Sequence, residues 1–217
     1  MGSHSSSREA LSGDIVAHGQ SFVSAGLGVG TSGNLSCRYE DGFLITPSGV
    51  PYDALTPEQI VLVGLDGDAD GAPSSEWRFH RDIYVARPDA GAVVHCHSTY
   101  ATAIACLRRS IPAFHYMVAV AGGADIRCSD YATFGTQALS DAALAALEGR
   151  MACLLANHGQ IALGADVAAT FSLAEEVEQL AHQYAVTLQA GEPVQLGADE
   201  MAKVIEKFKT YGKRSEL

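Results

Sequence analysis

The first regular pattern in the chain is a set of apolar residues at helical spacing. Leu11, Ile15 and Phe22 are four and seven residues apart, so they share one face of a helix. Gly26 follows this pattern, and glycine commonly stands where a helix ends. The sequence therefore predicts an amphipathic helix over 9–26.

Apolar runs separated by turn residues predict a sheet of several strands. Residues 34–39 and 42–46 flank Glu40-Asp41 and are typical of a β-hairpin, and the apolar run 60–65 is typical of a buried strand. Similar runs predict further strands at 91–97, 152–155 and 161–164.

Helical patterns lie between and after these strands. Ser74, Ser75 and Glu76 favour a helix start, and Pro88 breaks the pattern that follows, which predicts a helix that ends near residue 87. Further helices are predicted at 99–107, 141–148, 167–190 and 199–211.

The order of these elements predicts the fold class. Strands interleaved with helices favour an α/β domain of three layers, α/β/α, with helices on both faces of a central mixed sheet. Because neighbouring strands are joined by hairpins, we expect that sheet to be largely antiparallel. The chain has no repeat or linker pattern, so residues 8–217 are predicted to form a single domain, whereas residues 1–7 are typical of an extraneous remnant of cloning.

Composition narrows the possible classes of function. The 217 residues include 14 Lys and Arg against 25 Asp and Glu, a formal net charge of -11. Nucleic-acid binding needs concentrated positive charge, so we expect no nucleic-acid partner. The chain lacks an apolar run of the roughly 20 residues that cross a bilayer, and it lacks a secretory pattern, so we expect no membrane partner and a cytoplasmic location. Five scattered cysteines indicate reduced, mostly buried thiols.

Two histidines at the end of a predicted strand could bind one metal ion. His95 and His97 project from the same face of a strand, while Cys96 projects from the other and is expected in the core. His158 lies in an Asn-His-Gly turn after another apolar strand, which places a third imidazole at a similar strand end. Three histidines are typical of a catalytic zinc with an open position. The alternative is a group of histidines that make ordinary hydrogen bonds.

Glu76 stands at the predicted start of a helix, and two roles are open for it. A carboxylate in the first turn favours the helix dipole, which is a structural role. The same carboxylate could bind the ion in the empty site and move a proton once substrate displaces it. Its distance from the histidines distinguishes these roles.

Three short loops offer small hydrogen-bond donors. They are Gly30-Thr31-Ser32-Gly33-Asn34, Ser48-Gly49 and Ser74-Ser75. Glycines permit turns whose amides point inward, and together with hydroxyl groups such amides can hold a phosphate. Ordinary turns are the alternative.

Taken together, these segments resemble the class II aldolases of the L-fuculose-1-phosphate type, and the resemblance spans nearly everything after residue 8. It rests on Gly-Thr-Ser-Gly-Asn at 30–34, Ile-Thr-Pro-Ser-Gly at 45–49, Pro-Ser-Ser-Glu-Trp-Arg-Phe-His at 73–80, Val-Val-His-Cys-His at 93–97, Ser-Ile-Pro-Ala-Phe-His-Tyr-Met at 110–117, Tyr-Ala-Thr-Phe-Gly-Thr at 131–136, Asn-His-Gly at 157–159 and Lys-Phe-Lys-Thr-Tyr-Gly at 207–212. Related epimerases typically carry Asp where this chain has Glu76.

The resemblance implies a class II aldolase fold and a role for each segment. By that resemblance His95, His97 and His158 bind Zn²⁺, and Glu76 is the fourth ligand and the catalytic acid/base. The residues that it implies for phosphate binding are Thr31, Gly33, Asn34, Ser48, Gly49, Ser74 and Ser75.

Members of this family are homotetramers with fourfold symmetry and sites at subunit interfaces. The resemblance therefore implies that Tyr116 reaches a neighbouring subunit's site and acts there as a catalytic residue at the aldehyde oxygen. Phe134 and Tyr211 would contribute to aldehyde recognition, with packing as the alternative for Phe134. Because a metal replaces the Schiff base of the other aldolase class, the C-terminal lysines are expected at the surface: Lys203, Lys207 and Lys209.

The implied activity is retro-aldol cleavage of a ketose 1-phosphate, with L-fuculose 1-phosphate as the best candidate. Its cleavage gives dihydroxyacetone phosphate and L-lactaldehyde. Zinc would act as a Lewis acid at the C2 and C3 oxygens while Glu76 moves the proton at the C3 side. The alternatives are a related sugar-phosphate aldolase, a phosphorylated keto-acid decarboxylase and, outside enzymes, a zinc-stabilised interaction module, against which a ligand set without cysteine weighs.

Overall fold

A computed structural model of the chain describes residues 7–208. Its helices and strands follow in the order α1 (Arg8–Gln20), β1 (Asn34–Tyr39), β2 (Gly42–Ile45), β3 (Val61–Gly64), α2 (Trp77–Ala86), β4 (Ala92–Cys96), α3 (Thr99–Cys106), β5 (Arg127–Cys128), α4 (Gln137–Ala146), β6 (Ala152–Leu155), β7 (Gly159–Gly164), α5 (Val167–Ala190) and α6 (Ala198–Phe208). Short 3-10 helices lie at Tyr52–Ala54, Pro57–Gln59 and Tyr116–Ala121.

Within residues 7–208 the strands form one sheet, in the order β3-β2-β1-β4-β7-β6-β5. Neighbouring strands are antiparallel except for β5 and β6, which pair in parallel. Strand β5, which the sequence pattern did not predict, has only two residues and therefore gives no alternation to detect. The expected mixed, largely antiparallel sheet is confirmed.

Helices cover both faces of this sheet. Helices α1, α3, α5 and α6 pack on one face, around residues such as Ile15, Ile104 and Phe171. Helices α2 and α4 pack on the other, around Phe79 and Leu139. The expected three-layer α/β/α architecture is therefore confirmed, and none of the helices described is long and apolar enough to cross a membrane.

Strand β4 shows how the sheet positions the candidate chemistry. Val94 and Cys96 belong to the core beneath α1, α3 and α5, whereas Val93 belongs to the core beneath α2 and α4. Since successive side chains alternate between faces, His95 lies on the side of Val93. The strand thus directs His95 into the layer where α2 begins, and Cys96 is a core residue, as expected.

The first helix is shorter than the apolar pattern predicts. It ends at Gln20 instead of residue 26, and the chain continues in turns closed by backbone bonds such as Phe22 N to Gly19 O, 3.0 Å. Turns of this three-residue period keep apolar side chains on the same side, so Phe22 is fully buried without being helical. At the other end Ser7, in the segment predicted to be extraneous, caps α1 through its bond from Ala10 N.

Helix α4 begins four residues earlier than predicted. Thr136 is its N-cap, and the Oγ1 atom of this residue accepts a bond from Leu139 N at 3.3 Å. The prediction placed the start at Asp141 because it did not use this threonine as a cap. The five cysteines are free, as expected, although Cys106 is exposed.

Candidate active site

Three histidines and one glutamate converge at one end of the central strands. One ligand atom each from Glu76, His95, His97 and His158 lie within 4.8 Å of one another. The centroid of the His95 ring is 4.9 Å from that of His97 and 4.8 Å from that of His158. The structure therefore brings together the four residues that the sequence resemblance implies as metal ligands.

Each of the four residues is held by a different local structure. His95 is in β4, and His97 follows the end of that strand. His158 lies in the tight turn between β6 and β7, next to Asn157, whose φ is 55°. Glu76 is the N-cap residue of α2. Because β4 and β7 are adjacent strands, these elements meet at the same sheet end.

The orientation of His95 leaves one ring nitrogen available for a cation. Its Nδ1 atom is 2.9 Å from the carbonyl oxygen of Gln160, which can only accept, so Nδ1 carries the proton. The lone pair of Nε2 then points towards His97 Nε2, 3.0 Å away. A backbone carbonyl that fixes the tautomer in this way is typical of a metal-binding histidine.

The carboxylate of Glu76 faces the imidazoles. Its Oε2 atom is 3.2 Å from His95 Nε2, and its Oε1 atom is 3.3 Å from His158 Nε2. Oε1 is buried and has no hydrogen-bond partner in the part of the chain that the structure describes, and the side chain makes no capping bond to α2. This geometry favours the ligand and proton-transfer role over the helix-dipole role, and the orphaned oxygen fits a bound cation.

The electrostatics of the group suit a divalent cation. Burial opposes the charge of Glu76, but His95, His158 and the hydrogen bond from Asn34 outweigh it and hold the pKa of Glu76 well below its ordinary value. Burial, together with the neighbouring His95, lowers the pKa of His97 and of His158 to about 4. At neutral pH the site therefore offers the carboxylate of Glu76 and the uncharged imidazoles of His97 and His158, a protonation state that suits metal binding.

This group opens into a cavity of about 500 Å³. The cavity is lined by all seven residues that the resemblance implies for phosphate binding: Thr31, Gly33, Asn34, Ser48, Gly49, Ser74 and Ser75. Further lining residues were not predicted as site residues, namely Ser32, Pro47, Tyr131, Ala132 and Asn157. Among residues 7–208 the lining contains neither Lys nor Arg, so with these residues alone a phosphate there would depend on hydroxyl and amide donors.

Gly33 lies where no other residue fits. Its φ is +85°, and a Cβ atom would come within 2.6 Å of the backbone oxygen of His95. Gly30 also has a positive φ, +67°, but a Cβ atom there would meet nothing within 4 Å. Gly33 thus lets the loop approach β4 closely, beside the candidate ligands.

Replacement of these two glycines by alanine separates backbone strain from collision. We expect Gly30→Ala to lower the free energy of unfolding by about 1 to 2 kcal/mol, because both variants must hold alanine in the left-handed region. Gly33→Ala should lower it by about 1 to 3 kcal/mol more, through overpacking against β4. Urea unfolding measures both values, and equal losses in the two variants would contradict the collision argument.

The aromatic residues implied for aldehyde recognition lie in different places. Phe134 lines the cavity and is 66% exposed. Tyr116 is half exposed and lines a separate cavity of about 250 Å³ together with Met117 and Phe208. Within one chain the structure does not bring Tyr116 to the histidines, so its implied role needs a neighbouring subunit. Tyr211 and Lys209 lie outside the described residues.

Two lysines and one buried histidine lie outside the group of four candidate ligands. Lys203 and Lys207 are exposed, as expected of lysines without a Schiff-base role. His80, for which the sequence predicts no role, is fully buried and hydrogen-bonded to Asn34. Its position four residues after Glu76, on the same face of one helix, was the available signal.

Comparison with known proteins agrees with this geometry. Residues 13–185 match the family model described as Class II Aldolase and Adducin N-terminal domain. A 5-methylthioribulose-1-phosphate/5-deoxyribulose-1-phosphate aldolase of Rhodospirillum rubrum is 56% identical over 97% of this chain and 96% of the relative. An L-fuculose phosphate aldolase of Escherichia coli K12 is 49% identical over 96% of this chain and 99% of the relative.

Solved structures show the same similarity. The structure of an L-fuculose 1-phosphate aldolase superposes with a TM-score of 0.90 at 42% identity, over 96% of this chain and 100% of the other. Together with the family match, this confirms the class II aldolase fold and the enzyme class expected from the sequence, that of the metal-dependent aldehyde-lyases. The chain therefore belongs to the class II aldolase family.

Proposed function

We propose that the protein catalyses the retro-aldol cleavage of a ketose 1-phosphate, with dihydroxyacetone phosphate as one product. The observation that carries the proposal is the group of Glu76, His95, His97 and His158, of which Glu76, His97 and His158 line a cavity together with small neutral donors. Such a cavity can hold an anionic end of the substrate close to a Lewis acid. We propose Zn²⁺ as the resident metal, since three histidines and a carboxylate are typical zinc ligands.

Different residues of the chain would bind the phosphate, bind the metal ion and transfer the proton. Donors from the Gly33, Ser48 and Ser74 loops would hold the phosphate and so fix the register of the ketose in the cavity. A cation bound by the four ligands would supply the positive charge that stabilises the carbanionic product of C3–C4 cleavage. Glu76, ionised and in reach of that point, would take and return the proton at the C3 side.

The chemical identity of the substrate's aldehyde end is less well defined than that of its phosphate end. Cleavage of L-fuculose 1-phosphate would give L-lactaldehyde, whereas 5-deoxyribulose 1-phosphate and its 5-methylthio derivative would give acetaldehyde and methylthioacetaldehyde. The relatives that act on these substrates are 49% and 56% identical to this chain. All three aldehydes end in an apolar group, and the exposed rings of Tyr131 and Phe134 at the cavity suit such a group.

A homotetramer with sites between subunits is part of this proposal. Tyr116, half exposed and away from the histidines of its own chain, would then reach the aldehyde oxygen in a neighbouring site. L-Fuculose 1-phosphate remains our first substrate, and the 5-methylthio and 5-deoxy ribulose 1-phosphates are the second candidates because of the 56% identical relative.

A substrate panel tests the proposal. Release of dihydroxyacetone phosphate is coupled to NADH oxidation by glycerol-3-phosphate dehydrogenase, with the three candidate ketose 1-phosphates and fructose 1,6-bisphosphate as the control. We expect at least one candidate to reach a kcat/KM of about 10⁴ M⁻¹s⁻¹ or more. The bisphosphate should be cleaved at least about 100-fold less efficiently, because its charged far end meets an aromatic wall.

Two results would replace the proposal with one of its alternatives. Release of CO₂ from a phosphorylated keto acid, without cleavage of any ketose, would assign the decarboxylase activity. The absence of turnover with every substrate, together with unfolding on metal removal, would assign the zinc-stabilised interaction module.

A further inference from the structure

A series of buried hydrogen bonds leads away from the candidate site. The Nδ2 atom of Asn34 is 3.1 Å from Glu76 Oε2, and the Oδ1 atom of Asn34 is 2.5 Å from His80 Nε2. Asn34 begins β1 and is the register partner of His95, whereas Glu76 and His80 belong to the start and the first turns of α2. Asn34, in β1, thus joins the carboxylate at the start of α2 to an imidazole one turn further along the same helix.

The series continues on the far side of the imidazole. His80 Nδ1 is 2.7 Å from Ser36 Oγ, and Ser36 Oγ is 2.8 Å from the hydroxyl of Tyr84. Ser36 lies two residues after Asn34 in β1, so both side chains face α2. Tyr84 lies four residues after His80, on the same face of α2. Strand β1 and helix α2 are therefore connected twice through one histidine.

The donor and acceptor roles follow from the carboxylate. Ionised Glu76 can only accept, so the NH₂ group of Asn34 must face it and the amide oxygen must face His80. His80 Nε2 must then carry a proton to donate to that oxygen. Nδ1 of the neutral ring accepts from Ser36, whose oxygen in turn accepts from Tyr84. Each member has one permitted orientation.

The surroundings of His80 keep it in this single form. Its side chain is fully buried, and its ring stacks on Phe79 with centroids 4.6 Å apart and on Phe43 with centroids 6.4 Å apart. Burial is the main reason that the pKa of His80 is lowered to about 3, so the ring is neutral at physiological pH. A polar group in such surroundings cannot exchange its partner for bulk water without a large cost.

We propose that His80 is a positioning residue for Glu76. Its Nε2 proton holds the amide of Asn34 in the orientation that fixes Oε2 of Glu76, and this leaves Oε1 directed at His158. The inference rests on the proposed function only in assigning metal binding and proton transfer to Glu76. A residue that orients a metal ligand typically changes metal affinity or activity by 10- to 100-fold when it is replaced.

Two substitutions of His80 separate positioning from packing. A glutamine amide nitrogen reaches the place of the ring Nε2 atom, so His80→Gln keeps the donor to Asn34. An asparagine amide reaches only the place of Nδ1, so His80→Asn keeps a contact to Ser36 and loses the donor to Asn34. His182→Asn is the matched control, because the His182 ring stacks on Tyr100 in another part of the fold, with centroids 3.9 Å apart.

The measurements are the apparent zinc Kd, by competition with a chromogenic chelator in the absence of substrate, and kcat and KM for the ketose 1-phosphate. His80→Asn should raise the zinc Kd and lower kcat by about 10-fold each, with KM changed less than about threefold. His80→Gln should restore both values to within about threefold of the wild type, and His182→Asn should leave them unchanged.

Equal losses in the asparagine and glutamine variants, or a change only in the urea midpoint, would overturn the proposal. Should His80→Asn not fold, Ser36→Ala deletes one oxygen and frees the ring to change tautomer. It should weaken zinc binding at least about threefold, and no change there would equally overturn the proposal. If the wild type cleaves no ketose while the zinc affinities still differ as expected, the proposed function fails and the positioning role stands.

Discussion

Metal removal is expected to abolish ketose cleavage, by at least about 1,000-fold in kcat, while the protein remains folded. A Lewis acid contributes several kcal/mol of charge stabilisation to such a reaction, and each 1.36 kcal/mol corresponds to a tenfold change in rate. The four candidate ligands lie on elements that are anchored in the sheet and its two cores, so we expect the fold not to depend on the ion. Dialysis against dipicolinate, followed by the coupled assay and circular dichroism, measures both properties.

Restoration provides the control for this experiment. One equivalent of Zn²⁺ per chain should recover the activity, and metal analysis should show the same stoichiometry. Full activity in protein shown to be free of metal would refute the assignment of the four residues as a metal centre. Loss of the circular dichroism signal on chelation would instead favour a structural ion.

Replacement of Glu76 by glutamine is expected to lower kcat by at least about 100-fold. The amide keeps the shape of the side chain but cannot act as a base, and general acid/base catalysis contributes typically 10²- to 10⁴-fold. Bound zinc should weaken in parallel, because an amide oxygen is a poorer ligand than a carboxylate. The variant should be assayed both with stoichiometric and with excess Zn²⁺, so that loss of metal is separated from loss of proton transfer.

An exposed glutamate supplies the matched control. Glu192→Gln makes the same chemical change on the surface, after the end of α5, and should keep wild-type kcat and zinc content. If Glu76→Gln with saturating Zn²⁺ is as active as Glu192→Gln, then Glu76 is not the acid/base and its role is confined to the metal.

The sequence predicted those parts of the fold that depend on local periodicity. The long helix α5 was predicted at 167–190 and has these bounds, and β1 and β6 also agree. Errors occurred where a single residue decided a boundary, as Thr136 does for α4. Strand β5 was missed because its pairing with β6 is set by tertiary contacts and not by its own two residues.

The candidate site was predictable to the extent that strand geometry dictates it. Alternation placed His95 and His97 on one face, and the turn placed His158 near them. Whether Glu76 faces the histidines could not be read from the sequence, because a carboxylate at the start of α2 can favour the helix dipole as well as bind a metal ion. The contact of Glu76 Oε2 with His95 Nε2, 3.2 Å, favours the ligand role.

The role of His80 was beyond sequence reasoning for a different reason. Buried polar contacts between β1 and α2 depend on how the helix docks on the strand, which periodicity does not define. The sequence does place Asn34 and Ser36 on one face of β1, and His80 and Tyr84 on one face of α2. Only the docked structure shows that these two faces meet, with Ser36 Oγ 2.7 Å from His80 Nδ1.

The placement of Tyr131 and Phe134 between β5 and α4 has a consequence for engineering. These rings are 54% and 66% exposed and lie on a connecting segment, whereas Glu76 and the histidines are fixed by the sheet and by α2. We therefore expect saturation libraries restricted to 131–134 to change which aldehydes the protein accepts, including in the synthetic, carbon-bond-forming direction. The fold and the four candidate metal ligands should remain unchanged in such libraries.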